Sequence, residues 1–285
     1  MGYCNGVSQV IRFAQDVVDR ARREGKKAYS IGWFIHNPSV VNHFIQQGME
    51  HIDSPEGHEP GIALIRAHGI ADDLRERFEQ AGFTLVDGTC GTVAHSQSII
   101  RSVSEGEHVL IIGLHNHSEV KALSRVRDGD GRFVPVHIVQ SVDEVDRLDF
   151  PSQGKIITVV QTTFEHEEFH LILAHLHSVF PDRIVQANIL CPSTKRRHDS
   201  LIAMLEEVDA VLVVGGKMSA NTRALAELVE SRKMPVWHIE EASQIPHQIY
   251  QYQSVGITAG TSTPEEDVRA VVENLHRGAG DGTES

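Results

Sequence analysis

Residues 4–18 read CNGVSQVIRFAQDVV, and segments of the same kind recur at residues 90–103 (CGTVAHSQSIIRSV) and 191–205 (CPSTKRRHDSLIAML). Each segment begins with a cysteine after a short turn and continues with the apolar spacing of a helix. The chain has three cysteines in 285 residues, and these segments contain all of them. Three thiols in matching contexts predict one shared object at a pseudo-threefold centre.

The alternatives to a shared object differ in what they require. A lone cysteine near a helix start is usually a core residue, but burial alone does not require that the context recur. Three cysteines cannot form a closed set of disulfides, and a cytosolic chain keeps its thiols reduced. A structural zinc site usually has CxxC pairs, which are absent. A [4Fe-4S] cluster usually takes four thiolates, so three would leave one iron open to a substrate.

Composition limits the classes of partner. The chain is 40% hydrophobic and 23% charged, which is ordinary for a globular protein of two or three small domains. It has no apolar run of membrane-span length, and its first residues lack a signal-peptide core. We therefore expect a cytoplasmic protein with no membrane partner. A net charge of −13 without a Lys/Arg cluster argues against nucleic acid. An anionic ligand would have to be bound by helix N-termini and histidines.

The elements after each cysteine helix recur in the same order. First comes a short apolar strand: KKAYSIG (26–32), HVLIIGL (108–114) or DAVLVVGG (209–216). This strand ends in a polar turn that opens another helix: His36-Asn37-Pro38-Ser39, His117-Ser118-Glu119 or Ser219-Ala220-Asn221. A later strand has its own polar end: Arg66-Ala67-His68-Gly69, Gln161-Thr162-Thr163 or Thr258-Ala259-Gly260-Thr261-Ser262-Thr263. The spacing from the preceding cysteine is similar in all three sets.

This order predicts the fold. Strands alternating with helices form parallel sheets of βαβ units, and ligands lie beyond the carboxyl ends of the strands. We predict an α/β protein of three similar small αβ domains with parallel sheets, arranged with pseudo-threefold symmetry around a central cluster. The predicted domains are residues 1–83, 84–181 and 182–276, with a disordered tail at 277–285.

One irregularity concerns the start of each predicted domain. The apolar segments FTLVDGT (83–89) and RIVQANIL (183–190) lead into Cys90 and Cys191, whereas three residues precede Cys4. We therefore expect the first domain to lack its leading strand, either because the start is misassigned or because a sheet edge has been lost.

Taken in order, the motifs resemble one family. They include Gly2-Tyr3-Cys4-Asn5-Gly6-Val7, His36-Asn37, Ala67-His68-Gly69, Asp87 to Cys90, His117-x-Glu119-Val120, Gln161-Thr162-Thr163, Cys191-x-x-Thr194 with Arg197, Val214-Gly215-Gly216, Ser219-x-Asn221-Thr222 and Thr258-Ala259-Gly260-x-Ser262. From Gly2 to about His276 the chain resembles 4-hydroxy-3-methylbut-2-enyl diphosphate reductase, the last enzyme of the non-mevalonate isoprenoid pathway. It departs from the usual family pattern at Gly91, His95, Gln97, Ala122, His198 and Ala220, the last of which replaces one of two adjacent serines.

The resemblance implies a reductive dehydroxylation that yields isopentenyl and dimethylallyl diphosphate. It implies a [4Fe-4S] cluster with one open iron, held by Cys4, Cys90 and Cys191. A low-potential electron donor of the ferredoxin or flavodoxin type would supply the electrons. Glu119 is the candidate proton donor, and Thr162 is a candidate hydroxyl relay. The candidate diphosphate ligands are His36, His68, His117, Ser219, Asn221 and Ser262.

Each of these residues also has an ordinary structural interpretation. An acidic residue such as Glu119 in the first turn of a helix favours the helix dipole, and Thr162 or a serine at a helix start is commonly an N-cap. Two other functions also remain open for the chain. One is a paralogous three-cysteine cluster enzyme, of reductase or dehydratase type, with a different small ligand. The other is a non-catalytic iron–sulfur sensor.

Overall fold

Three parallel sheets flanked by helices make up the protein in a computed structural model, which describes residues 2–151, 153–188 and 190–281. The helices are α1 (Asn5–Glu24), α2 (Pro38–Gln46), α3 (Asp72–Gln80), α4 (Gly91–Arg101), α5 (Ser118–Leu123), α6 (Val142–Val145), α7 (His166–Val179), α8 (Pro192–Leu205), α9 (Ala220–Ser231) and α10 (Glu265–Asp281). The strands are β1 (Ala28–Ile31), β2 (Met49–Ile52), β3 (Ile62–Ile65), β4 (Thr84–Asp87), β5 (His108–Ile112), β6 (Val136–Val139), β7 (Ile156–Val160), β8 (Ile184–Gln186), β9 (Ala210–Val214), β10 (Val236–Ile239) and β11 (Val255–Ala259).

The strand orders are β2-β1-β3-β4 in the first sheet, β6-β5-β7-β8 in the second and β10-β9-β11 in the third. All pairs within these sheets are parallel. The central strands β1, β5 and β9 are almost wholly buried and apolar, as expected of strands covered by helices on both faces. The prediction of an α/β fold with three similar parallel sheets is confirmed.

The chain divides into two compact units. The larger unit comprises residues 9–35 and 41–191 and contains the first and second sheets. The smaller unit comprises residues 1–8, 36–40 and 192–285, with the third sheet. Each sheet has its own apolar core. Tyr29, Phe78 and Phe83 pack on the first sheet, Phe164 and Phe169 on the second, and the third has a cluster around Leu212 and Val268.

Two strands join other sheets than the sequence suggested. The segment before Cys90 forms β4, which pairs with β3 at the edge of the first sheet. The segment before Cys191 forms β8, which pairs with β7 at the edge of the second sheet. The predicted boundaries that gave these strands to the following domains are therefore wrong. In the described part of the chain no strand precedes Cys4, as expected, but the first sheet has four strands and does not lack one. Among the described residues it is the third sheet that has three strands. The misassignment has a physical reason, because an apolar edge strand shows which residues it buries but not which neighbour it pairs with.

The predicted tail also needs correction. Helix α10 continues through Asp281, so residues 277–281 are helical rather than disordered. Residues 282–285 of the predicted tail lie outside the described residues. In the part of the chain that is described, none of the helices has both the length and the apolar character of a membrane span.

Candidate functional site

The three cysteines occupy equivalent places. Each lies immediately before a helix (α1, α4 or α8), and none forms a disulfide. The backbone N–H of each cysteine donates to a carbonyl just beyond the end of β11, β3 or β7. Cys4 donates to Thr261 at 3.1 Å, Cys90 to Ala67 at 2.9 Å and Cys191 to Thr162 at 3.2 Å. All three side chains are partly exposed. The recurring context seen in the sequence is therefore a recurring backbone geometry, with each cysteine fixed beside the carboxyl end of a parallel sheet.

In the larger unit a buried carboxyl lies against a threonine. Glu119, in the first turn of α5, is fully buried, and Thr162, just beyond β7, is 6% exposed. One carboxylate oxygen of Glu119 accepts from the backbone N–H of Thr162 and the other from its hydroxyl, both at 2.7 Å. Burial raises the pKa of Glu119 to about 7, although both hydrogen bonds oppose that shift. Thr162 does not cap α7, because Glu165 does so. Burial thus places the pKa of this carboxyl near neutral pH, beside a hydroxyl.

Two predicted histidines lie beside this pair. His117 is the N-cap of α5, and its Nδ1 accepts from the backbone N–H of Glu119 at 3.2 Å. The rings of His68 and His117 have centroids 5.1 Å apart. Nδ1 of His68 is hydrogen-bonded to the Ser118 hydroxyl at 3.0 Å. The larger unit thus brings four predicted site residues together at the ends of β3, β5 and β7.

The smaller unit links the remaining turns. The Asn37 side-chain amide donates to the carbonyl of Ser262 at 3.1 Å, and the Ser262 hydroxyl donates to the carbonyl of His36 at 3.4 Å. Gly216, at the end of β9, leaves room for the same His36 carbonyl, since a Cβ there would lie 2.4 Å from that oxygen. The loop after β11, the His36 turn and the loop after β9 are therefore neighbours.

Asn221 is a buried polar residue of the smaller unit whose side chain lacks hydrogen-bond partners within the described part of the chain. It lies in the first turn of α9 and is 2% exposed, and among the described residues neither its amide nitrogen nor its amide oxygen has a hydrogen-bond partner. Ser219 is the N-cap of α9, and its hydroxyl accepts from the N–H of Thr222 at 3.3 Å. An unsatisfied buried amide costs about 1–3 kcal/mol, so such a group calls for a ligand or water. Capping by Ser219 uses a lone pair and leaves its hydroxyl proton able to donate.

Three residues of the quoted polar turns support the site although the sequence did not mark them as site candidates. Asn37 fixes Ser262, Ser118 fixes His68, and Gln161 accepts from the backbone N–H of Leu114 at 3.0 Å. All three are polar residues directly after buried strands or inside the polar turns. That position was the available signal, but it could not distinguish a residue that holds a loop from one that contacts a ligand.

Comparisons with known proteins agree on one family. The profile of the family described as LytB protein matches residues 1–276. The 4-hydroxy-3-methylbut-2-enyl diphosphate reductase of Treponema denticola is 33% identical over 98% of this chain and 97% of its own length. The reductase of that name from Anaeromyxobacter is 33% identical over 97% of this chain and 95% of its own length. The solved structure of the E-1-hydroxy-2-methyl-but-2-enyl-4-diphosphate reductase from Plasmodium falciparum is similar with a TM-score of 0.86 and 26% identity, covering 96% of this chain and 85% of that one.

Proposed function

The chain belongs to the LytB protein family, and we propose that it reduces (E)-4-hydroxy-3-methylbut-2-enyl diphosphate to isopentenyl and dimethylallyl diphosphate. The predicted family and the predicted oxidoreductase class are confirmed by relatives that match nearly the whole chain. The reaction removes an allylic hydroxyl as water and consumes two electrons and two protons. The observation that carries the proposal is the buried Glu119 carboxyl, whose pKa is raised to about 7 beside Thr162.

Glu119 is the proposed proton donor. A general acid works best when its pKa lies near the working pH, and removing the group typically costs ~10²–10⁴-fold in rate. Thr162 accepts and passes on a proton through its hydroxyl, which contacts one carboxylate oxygen of Glu119. The second oxygen is held by the backbone N–H of Thr162, which fixes the orientation of the carboxyl. A non-catalytic sensor has no need of this pair.

Diphosphate binding is proposed for the polar turns at the strand ends. In the smaller unit, Ser219, Asn221 and Ser262 supply neutral donors, and α9 supplies backbone N–H groups at its N-terminus. The orphan amide of Asn221 supports this role, because a phosphate oxygen would accept from its nitrogen. Ring N–H groups of His36, His68 and His117 complete the proposed set. These donors provide a positive local potential in a chain whose net charge is −13.

The donor set fits an iron–sulfur cluster. Cys4, Cys90 and Cys191 would hold it, and support comes from their matching backbone hydrogen bonds and their lack of disulfides. Within the described residues, no three His, Cys, Asp or Glu side chains are grouped as ligands of a single metal ion. A cluster does not require such a group, because each thiolate binds its own iron. When bound, the cluster supplies the electrons and a Lewis acid. We propose the [4Fe-4S] form with one open iron, reduced by a ferredoxin or flavodoxin.

Anaerobic turnover tests this function. Purified, reconstituted protein is given hydroxymethylbutenyl diphosphate and a dye reduced by dithionite, and the products are identified by chromatography. We expect both isopentenyl and dimethylallyl diphosphate, and much slower reaction of the alcohol that lacks phosphates. Failure to consume the diphosphate with an intact cluster would instead favour a paralogue acting on another ligand. Equal turnover of the unphosphorylated alcohol would refute the diphosphate site.

A further inference from the structure

The residue six positions after each cysteine has a role that the reaction does not explain. These residues are Val10, Ser96 and Arg197, on α1, α4 and α8. Val10 and Ser96 are fully buried. A residue six positions into a helix lies roughly 9 Å along the axis from its start, too deep to be a ligand beside the cysteine. All three, however, contact the chain just before a different cysteine.

Arg197 makes this contact with charge-assisted hydrogen bonds. One guanidinium nitrogen donates to the carbonyl of Gly2, two residues before Cys4, and another donates to the carbonyl of Ala259 at 2.6 Å. Ala259 is the last residue of β11. Arg197 therefore ties the segment leading to Cys4 to the end of a strand.

Ser96 makes the equivalent contact with a neutral hydrogen bond. Its hydroxyl accepts from the side-chain amide of Asn188, three residues before Cys191, at 2.8 Å. The same amide bonds both backbone groups of Val160, the last residue of β7, at 2.7 Å and 3.0 Å. Ser96 and Asn188 are both buried. Loss of Ser96 would leave one of the two amide N–H groups of Asn188 without its acceptor, while the other keeps the Val160 carbonyl.

Val10 makes the third contact by packing. A Cβ on Gly88, two residues before Cys90, would lie 2.7 Å from Cγ2 of Val10. The Val10 side chain therefore packs directly against the backbone of Gly88. The N–H of Gly88 donates to the carbonyl of Ile65, the last residue of β3, at 3.1 Å. Each of the three contacts therefore joins a helix, a strand end and the approach to a cysteine.

We propose that Val10, Ser96 and Arg197 are positioning residues that form three clasps, each holding in place the cysteine at the start of the next repeat. Helix α1, which follows Cys4, holds the residues just before Cys90. Helix α4, which follows Cys90, holds the residues just before Cys191, and helix α8, which follows Cys191, holds those just before Cys4. Loosening one clasp frees one cysteine without unfolding a sheet, since the strands retain their own pairing. The inference rests on the proposed function in taking the cysteines as cluster ligands.

Hydrogen exchange of the metal-free protein tests the clasps without needing the cluster. In Arg197→Met, exchange of the peptide containing residues 2–8 should accelerate about tenfold, the effect of one lost hydrogen bond, while residues 185–191 keep their rate. In Ser96→Ala the result should be reversed: exchange of residues 185–191 should accelerate, while residues 2–8 keep their rate. Arg196→Met is the matched control, because Arg196 is an exposed neighbour on the same helix. Unchanged exchange near Cys4 in Arg197→Met, or equal acceleration of all peptides, would overturn the clasp.

Iron loss provides a second readout. In reconstituted Arg197→Met, a chelator should remove iron several-fold faster than from wild type or Arg196→Met. The rate for Arg197→Lys should lie between those of wild type and Arg197→Met, because one ammonium replaces a guanidinium that donates to two carbonyls. Equal rates of iron loss in Arg197→Met and wild type would contradict the proposal. If instead no variant or wild-type protein binds iron, the proposed function fails while the exchange results still decide whether the clasps exist.

Discussion

Glu119 shows how burial changes the pKa of a single carboxyl. Its place in the first turn of a helix is typical of an acid that merely stabilises the helix dipole. In the structure it is fully buried, and its pKa rises to about 7 despite two hydrogen bonds from Thr162. Sequence could identify this residue as a candidate through its motif. It could not foresee the burial, because that depends on packing against β7 from elsewhere in the chain.

Replacing Glu119 by Gln keeps the shape of the side chain but removes its acidic proton. We expect turnover to fall by ~10²–10⁴-fold with the iron content unchanged. Thr162→Val should give a smaller loss of the same kind, because water partly replaces a hydroxyl. The measurement is steady-state turnover of the anaerobic enzyme, with the exposed Glu105→Gln as control. Near-normal turnover of Glu119→Gln would show that the acid lies elsewhere.

The raised pKa of Glu119 also predicts how stability depends on pH. Between its ordinary pKa of 4.5 and about 7, the folded protein holds a proton that the unfolded chain has lost. The free energy of unfolding should therefore decrease as pH rises through this window, and Glu119→Gln should lessen the decrease. Urea unfolding of the metal-free protein at pH 5 and pH 8 measures both slopes. Identical slopes in wild type and Glu119→Gln would contradict the assigned pKa.

At the scale of elements, the polar turns after the strands position the residues of the proposed site. Their helix starts could be predicted from sequence, and Ser219 and His117 do cap α9 and α5. Capping is compatible with the proposed ligand binding, because an N-cap serine keeps its hydroxyl proton for donation. The sequence could not predict which sheets contain β4 and β8. The apolar pattern and the composition of an edge strand are the same whichever sheet it joins.

Helix α9 offers a gain-of-function test. Ala220 stands at its first position, where the resembling family usually has a second serine. Ala220→Ser should lower the KM for the diphosphate by up to about tenfold, because one more hydroxyl can donate to a phosphate oxygen. Ala224→Ser, one turn further along, is the matched control for the change in helix propensity. A KM that moves equally in both variants would remove the hydroxyl's assigned role.

At the scale of the whole molecule, the protein is a threefold repetition of one αβ unit. The order of elements, the parallel sheets and the register of the cysteines follow from the sequence, because apolar period and polar strand ends recur in all three sets. The division of the chain into two compact units does not, since residues 1–8 and 36–40 belong with residues 192–285. Such long-range association depends on tertiary packing, for which a local pattern has no signal.

Iron content tests the central claim that one cysteine from each repeat serves a single cluster. Anaerobically reconstituted wild type should hold about four iron and four sulfide ions per chain. Cys4→Ser, Cys90→Ser and Cys191→Ser should each reduce this content sharply and abolish turnover, while circular dichroism of the metal-free variants remains that of wild type. Any one of these variants that keeps the full iron content and a normal rate would contradict the account.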